Sequence, residues 1–155
     1  MTLSDQGAQF ICAFEGFKSK PYQDSGGVWT IGYGTTFYPN GTAVKGSDPA
    51  ITTQQGIQYL QSHANSQVSP GLNSLLPGIS QNQFDALSCF IYNVGMGNFK
   101  TSSLLRDIKA GAGTDVITAD FAKWNKGGGQ VLAGLVKRRA AEADLYCNSN
   151  YNQSA

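Results

Sequence analysis

The chain has 155 residues, 41 % of them hydrophobic and 14 % charged, with a formal net charge of +1. That length and apolar fraction suit one compact domain with a real core. The near-neutral balance argues against a nucleic-acid partner, an acidic partner and intrinsic disorder.

In chain order, Ser4 is placed to cap a first helix whose apolar positions Ala8, Ile11, Cys12 and Phe14 repeat at helical spacing and which Gly16 should stop. Glu15 then falls in its last turn. The turn signal QDSGG and the β-branched, aromatic run VWTIGYGTT predict a strand leaving a hairpin, with Tyr38-Pro39-Asn40-Gly41 as a further turn. Alternation along that strand sets Val28 and Thr30 on one face, and Trp29, Ile31 and Tyr33 on the other, packed in a core.

The remainder reads as helical. Thr52 with Gln55 opens a long helix towards Gln67, and Pro70-Gly71 and Pro77-Gly78 interrupt the chain. Ser80 with Gln83 opens a helix bearing an apolar stripe of Phe84, Leu87, Phe90, Ile91 and Val94. Short helices are expected from Ser102 to Ala110 and from Thr114 to Asn125, the latter burying Val116, Ile117, Phe121 and Trp124. A flexible Gly127-Gly128-Gly129 then precedes a final helix from Gln130 to about Tyr146. The expected whole is α+β and predominantly helical: a sheet lobe at about 17–50, a connecting helix at about 52–67, a helical lobe at about 1–16 and 68–147, and a flexible tail at 148–155. A cleft between unequal lobes is where a polymer can lie.

Several chemistries are disfavoured. The start, TLSDQGAQ, is polar and no long apolar run follows, so neither a secretory leader nor a membrane span is predicted. Cys12, Cys89 and Cys147 are odd in number and form no CxxC pair, which favours reduced thiols. The single histidine, His63, reads as an exposed helix residue with no metal-ligand neighbours. No metal or cofactor is predicted, and carboxylate chemistry is what remains. Glycoside hydrolysis needs an acid and a second carboxylate flanking the scissile bond, and Glu15 and Asp24 can supply them, with the Thr30 hydroxyl orienting a water. To donate a proton, Glu15 would need burial, beside Phe14, Phe17 or Tyr22.

The spacing Glu15, eight residues, Asp24, five residues, Thr30, followed directly by IGYGTT, resembles the catalytic signature of the phage T4-type lysozymes, glycoside hydrolase family 24. QFDALSCFIYNVGMGNF, TSSLLRDI, and Trp124 with GGQVLAGLVKRRAAEADLY agree in order, so the resemblance runs from about Leu3 to Tyr146. It implies a lysozyme-like fold with the cleft between its lobes, and hydrolysis of the β-1,4 bond between N-acetylmuramic acid and N-acetylglucosamine in peptidoglycan, with inversion. By the same resemblance Glu15 is the general acid, Asp24 the base or electrostatic partner and Thr30 the water-positioning hydroxyl. Tyr33, Thr36, Tyr92, Asn93 and Ser102 match cleft positions, and either Arg138 or Arg139 stands behind the acid. One position departs from the pattern: Thr35 follows the GxG where many relatives carry histidine, so no buried ion pair is expected there.

The resemblance further implies a monomeric endolysin that binds glycan strands, not nucleic acid or membrane. It would wait in a host cytoplasm until a holin lets it reach the periplasmic wall. Two other readings stay open: a lytic transglycosylase, which needs one glutamate and no water-holding partner, and a catalytically silent wall-binding or structural module.

Overall fold

The computed structural model describes residues 1–153. Helix α1, Asp5–Glu15, begins where the Ser4 hydroxyl accepts from the Gly7 amide and ends at Gly16, whose φ of 67° turns the chain out of the helix. Strands β1, Lys18–Gln23, and β2, Trp29–Gly32, pair antiparallel, with Tyr22 opposite Thr30 and a bulge between Lys18 and Tyr22. Isolated bridges Ile31–Thr35 and Phe37–Ala43 carry this small lobe onward. Helix α2, Thr53–Gln67, opens with the Thr52/Gln55 capping box and leads out of it.

The helical part follows: α3 (Ser69–Leu75), α4 (Gln81–Val94), α5 (Met96–Lys100), α6 (Ser103–Lys109), α7 (Thr114–Ala122) and α8 (Ala133–Asn148). Between the last two lies a hairpin of β3 (Lys126–Gly127) and β4 (Gln130–Val131). Helix α4 is the axle. Phe84, Leu87, Phe90 and Ile91 point into one core with Leu72, Phe99, Leu104, Ile117 and Phe121, while Ala86 and Cys89 join a second with Ala8, Phe10, Ile11, Leu60 and Leu145. Phe90 meets Phe99, Phe121 and Trp124 edge-on, with ring centroids 6.2, 5.5 and 5.8 Å away. The architecture is α+β and predominantly helical. Among the described residues no helix is long and apolar enough to cross a membrane.

Several expectations are corrected. Pro70 and Gly71 do not merely interrupt the chain: proline in the first turn opens α3, where its missing N–H costs nothing. The triple glycine is a tight turn, with Gly128 and Gly129 at φ 60° and 82°, so α8 starts at Ala133 rather than at Gln130. Val116 is exposed because α7 packs through Ile117 and Phe121 instead. Trp29 is partly exposed, since a two-stranded sheet has no second layer to cover it, and lies against Gly46, where a Cβ would come within 2.6 Å of its ring. Nor do residues 149–153 leave the surface as a free tail. The Tyr151 hydroxyl donates to Asp85 Oδ2 at 2.8 Å, Asn150 to Asp144 at 2.6 Å, and the Gln153 amide to the Phe10 carbonyl. Ser154 and Ala155, the rest of that tail, lie outside the described residues.

Asp85 holds these ends together. Fully buried on α4, it accepts from the Ser4 amide at 3.1 Å, the Ser4 hydroxyl, the Gln81 side chain at 2.9 Å and Tyr151. Gly7 lies flat against it, for a Cβ there would sit 2.5 Å from the Asp85 carboxyl carbon. Asp85→Ala leaves those donors, most of them partly buried, without their acceptor and is expected to lose about 2 kcal/mol or more in urea denaturation. A loss below about 0.5 kcal/mol would show that the donors find solvent instead.

Candidate active site

The last turn of a helix is electrostatically a poor place for an anion, because its free carbonyls carry partial negative charge. Glu15 sits there nonetheless, and Arg138 of α8 explains how. Arg138 Nη1 donates to Glu15 Oε1 at 2.7 Å, Nη2 donates to the Cys89 carbonyl at 3.1 Å, and Nε donates to Glu142 Oε1 at 3.2 Å. Every guanidinium nitrogen is engaged, and the group lies over the Phe14 ring at 5.3 Å. The Glu15 side chain keeps 21 % of its surface accessible, and Arg138 holds only one of its two carboxyl oxygens.

Of the two arginines left open by the sequence, Arg138 is therefore the one behind Glu15. Arg139 is buried and turned elsewhere: Nη2 donates to Asn93 Oδ1 and Glu142 Oε1, both at 3.0 Å, while Nε lies 2.8 Å from Glu142 Oε2. Glu142, fully buried between them, had no role in the sequence reading. Burial pushes its carboxyl up, and the two guanidinium groups oppose that. The sequence signal was present in RRAAE, where a glutamate follows two arginines at i+3 and i+4.

Asp24 and Thr30 are tied through one residue, Val28. Asp24 Oδ1 accepts from the amides of Gly26 and Val28 at 2.8 and 2.9 Å, and the Thr30 hydroxyl donates to the Val28 carbonyl at 2.9 Å. The turn closes on itself, with the Asp24 amide donating to Val28 and its carbonyl accepting from Gly27. Asp24 is exposed, and these bonds hold one of its oxygens; Thr30 is only 4 % exposed and keeps its acceptor lone pairs. Position is set in both cases by backbone groups, while a polar site is left over for a ligand or water.

The remaining residues divide. The Tyr92 hydroxyl donates to the Tyr33 carbonyl at 2.9 Å, and burial, then the charge of Glu15, pushes it up, so it stays a donor. Tyr33 packs on Phe17 with ring centroids 5.2 Å apart, and Thr36 faces a groove beside α2. Asn93 is exposed and lines a separate cavity of about 390 Å³ with Trp124, Lys123 and Lys126. Ser102 does not belong with these. It is buried as the N-cap of α6, accepting from Leu105 at 3.1 Å and donating to the Phe99 carbonyl at 2.7 Å, so its hydroxyl has nothing left to donate to a sugar. Thr35 is buried with its hydroxyl unpartnered. Burial pushes the Cys12 thiol on α1 up to about 12, which keeps it protonated and unreactive. Among the described residues no three histidine, cysteine or acidic side chains gather where they could hold a metal.

Residues 12–142 match the phage lysozyme family. Over 94 % of its length the chain is 38 % identical to the endolysin of Bacillus phage PZA, of which it spans 55 %. It is 36 % identical, again over 94 % of its length, to the endolysin of Acyrthosiphon pisum secondary endosymbiont phage 1, of which it spans 98 %. Among solved structures, the endolysin from Escherichia coli O157:H7 phage FAHEc1 superposes with a TM-score of 0.85 at 34 % identity, over 98 % of this chain and 97 % of that one.

Removing Glu142 leaves two buried guanidinium groups facing each other. Glu142→Ala is expected to cost about 3–5 kcal/mol of stability in chemical denaturation, and a loss under about 1 kcal/mol would mean that both arginines reach water.

Proposed function

The chain belongs to the phage lysozyme family, and on that premise we propose that it is an endolysin-type muramidase, hydrolysing the β-1,4 bond between N-acetylmuramic acid and N-acetylglucosamine in bacterial peptidoglycan. The observation that carries this reading is the partly exposed Glu15 side chain with one carboxyl oxygen fastened by a buried arginine. With Oε1 held, Oε2 is the oxygen that carries the proton and delivers it to the glycosidic oxygen as the bond breaks. Asp24, through its free oxygen, and Thr30, through its lone pairs, hold a water on the other face of the sugar; Asp24 takes its proton as it attacks the anomeric carbon. Inversion is the expected outcome, and it requires the two carboxyl groups to stand about 6.5–9.5 Å apart. Tyr33, Thr36, Tyr92 and Asn93 are the proposed sugar contacts, and Arg138 is a positioning residue.

The protein acts as a monomer. It is held in a host cytoplasm until a holin opens the inner membrane, and then works on the periplasmic wall.

The test is digestion of purified sacculi with analysis of the sugar termini. Glu15→Gln keeps an acceptor for Arg138 and should fold normally, yet lose activity on the order of a thousandfold. Asp24→Asn is expected to be severely impaired, and Thr30→Ala to lose about a hundredfold through misplaced water. Free reducing ends support hydrolysis, whereas 1,6-anhydro-muramoyl ends with a nearly active Asp24→Asn point to a transglycosylase. Full activity in Glu15→Gln ends the mechanism.

A further inference from the structure

We propose that the groove between the 36–41 turn and α2 is a further binding site for uncharged N-acetylhexosamine rings, separate from the cleavage point. The proposal rests on the glycan reading above and extends the bound polymer beyond Glu15, Asp24 and Thr30. The cavity encloses about 560 Å³, within the roughly 300–1,000 Å³ typical of small-molecule sites.

Its lining has the chemistry of a neutral sugar. No lysine, arginine, aspartate or glutamate contributes to the wall, and partial desolvation lowers the pKa of His63, which favours its neutral form. An anionic peptide or phosphate would therefore find no cation here. What the wall offers is aromatic surface from Phe37, Tyr38 and Tyr59, with the hydroxyl groups of Ser62 and Ser66, one turn apart on α2, and the amide of Gln67. Sugar rings present C–H faces to the first and hydroxyl and acetamido groups to the second. Phe37 is 60 % exposed, an unusually open position for a phenylalanine. Tyr38 is already fixed, its hydroxyl donating to Asp48 Oδ2 at 2.7 Å and its ring edge-on to Tyr59 at 5.6 Å, so little ordering remains to oppose binding.

The groove also adjoins the candidate active site. Thr36 lies in its wall, and the His63 ring packs edge-on against Tyr92 at 5.8 Å, the residue whose hydroxyl bonds the Tyr33 carbonyl.

The probe is a series of peptide-free β-1,4-linked N-acetylglucosamine oligomers, titrated into isotope-labelled Glu15→Gln protein so that it stays intact. NMR shifts are expected at Phe37, Tyr38, Tyr59 and Ser66, appearing with the longer oligomers. Adding Phe37→Ala should weaken binding of the long oligomer about tenfold, equivalent to about 1.4 kcal/mol, while Val116→Ala on the exposed face of α7 leaves it unchanged. Thermal melts report whether each variant folds. Unchanged affinity in Phe37→Ala, shifts confined to residues 15–33, or no binding at all overturns the proposal. Groove binding by a wild-type protein that leaves sacculi uncut would instead sink the muramidase reading and spare the groove.

Discussion

Glu142 draws two guanidinium groups into the interior, where neither they nor it would be tolerated alone. Such a cluster is a poor source of stability, since desolvating three charges consumes most of what their attraction returns. Its effect is geometric. Arg138 has one nitrogen on Glu142, one on the Cys89 carbonyl and one left for Glu15, so the place of the Glu15 carboxyl is dictated from α8 and α4 rather than from its own helix. Arg139 extends the same constraint to Asn93 on α4. The sheet lobe contributes none of these groups, and Asp24 and Thr30 are held separately, within the hairpin.

The hairpin achieves its own precision with backbone atoms. Val28 donates its N–H to Asp24 and accepts from Thr30 at its carbonyl, so the two side chains share a reference point one residue wide. No charged partner is needed, and Asp24 remains open to water. The two carboxylates are thus held by different means: a buried cation for Glu15, and turn amides for Asp24. That contrast suits two acidic groups assigned opposite proton-transfer roles.

Much of the fold was legible in the sequence because its signals are local. Ser4, Thr52 and Ser80 cap the helices they were expected to cap, and Gly16 ends α1, since capping depends on residues within one turn. The failures have a common cause. Helix α4 shows one apolar stripe yet is buried on every side between Phe84 and Ile91, because two cores meet on it. Trp29 and Val116 carry strand and helix periodicity, but neighbouring layers do not extend over them. The tail looked featureless because its anchors, Asp85 and the Phe10 carbonyl, are far away in the chain.

The candidate site divides in the same way. Sequence alone determined the hairpin turn that holds Asp24 and Thr30, the helix end that carries Glu15, and the spacing that joins them. Only the tertiary structure decided that Arg138 rather than Arg139 reaches Glu15, that Glu142 fixes both, and that Ser102 is consumed as a cap. Adjacent residues on a helix differ by about 100° in direction, so which one meets a group 123 positions away depends on how α8 is rotated against α4 and α1. That rotation is set by packing over the whole core, and no window of sequence contains it.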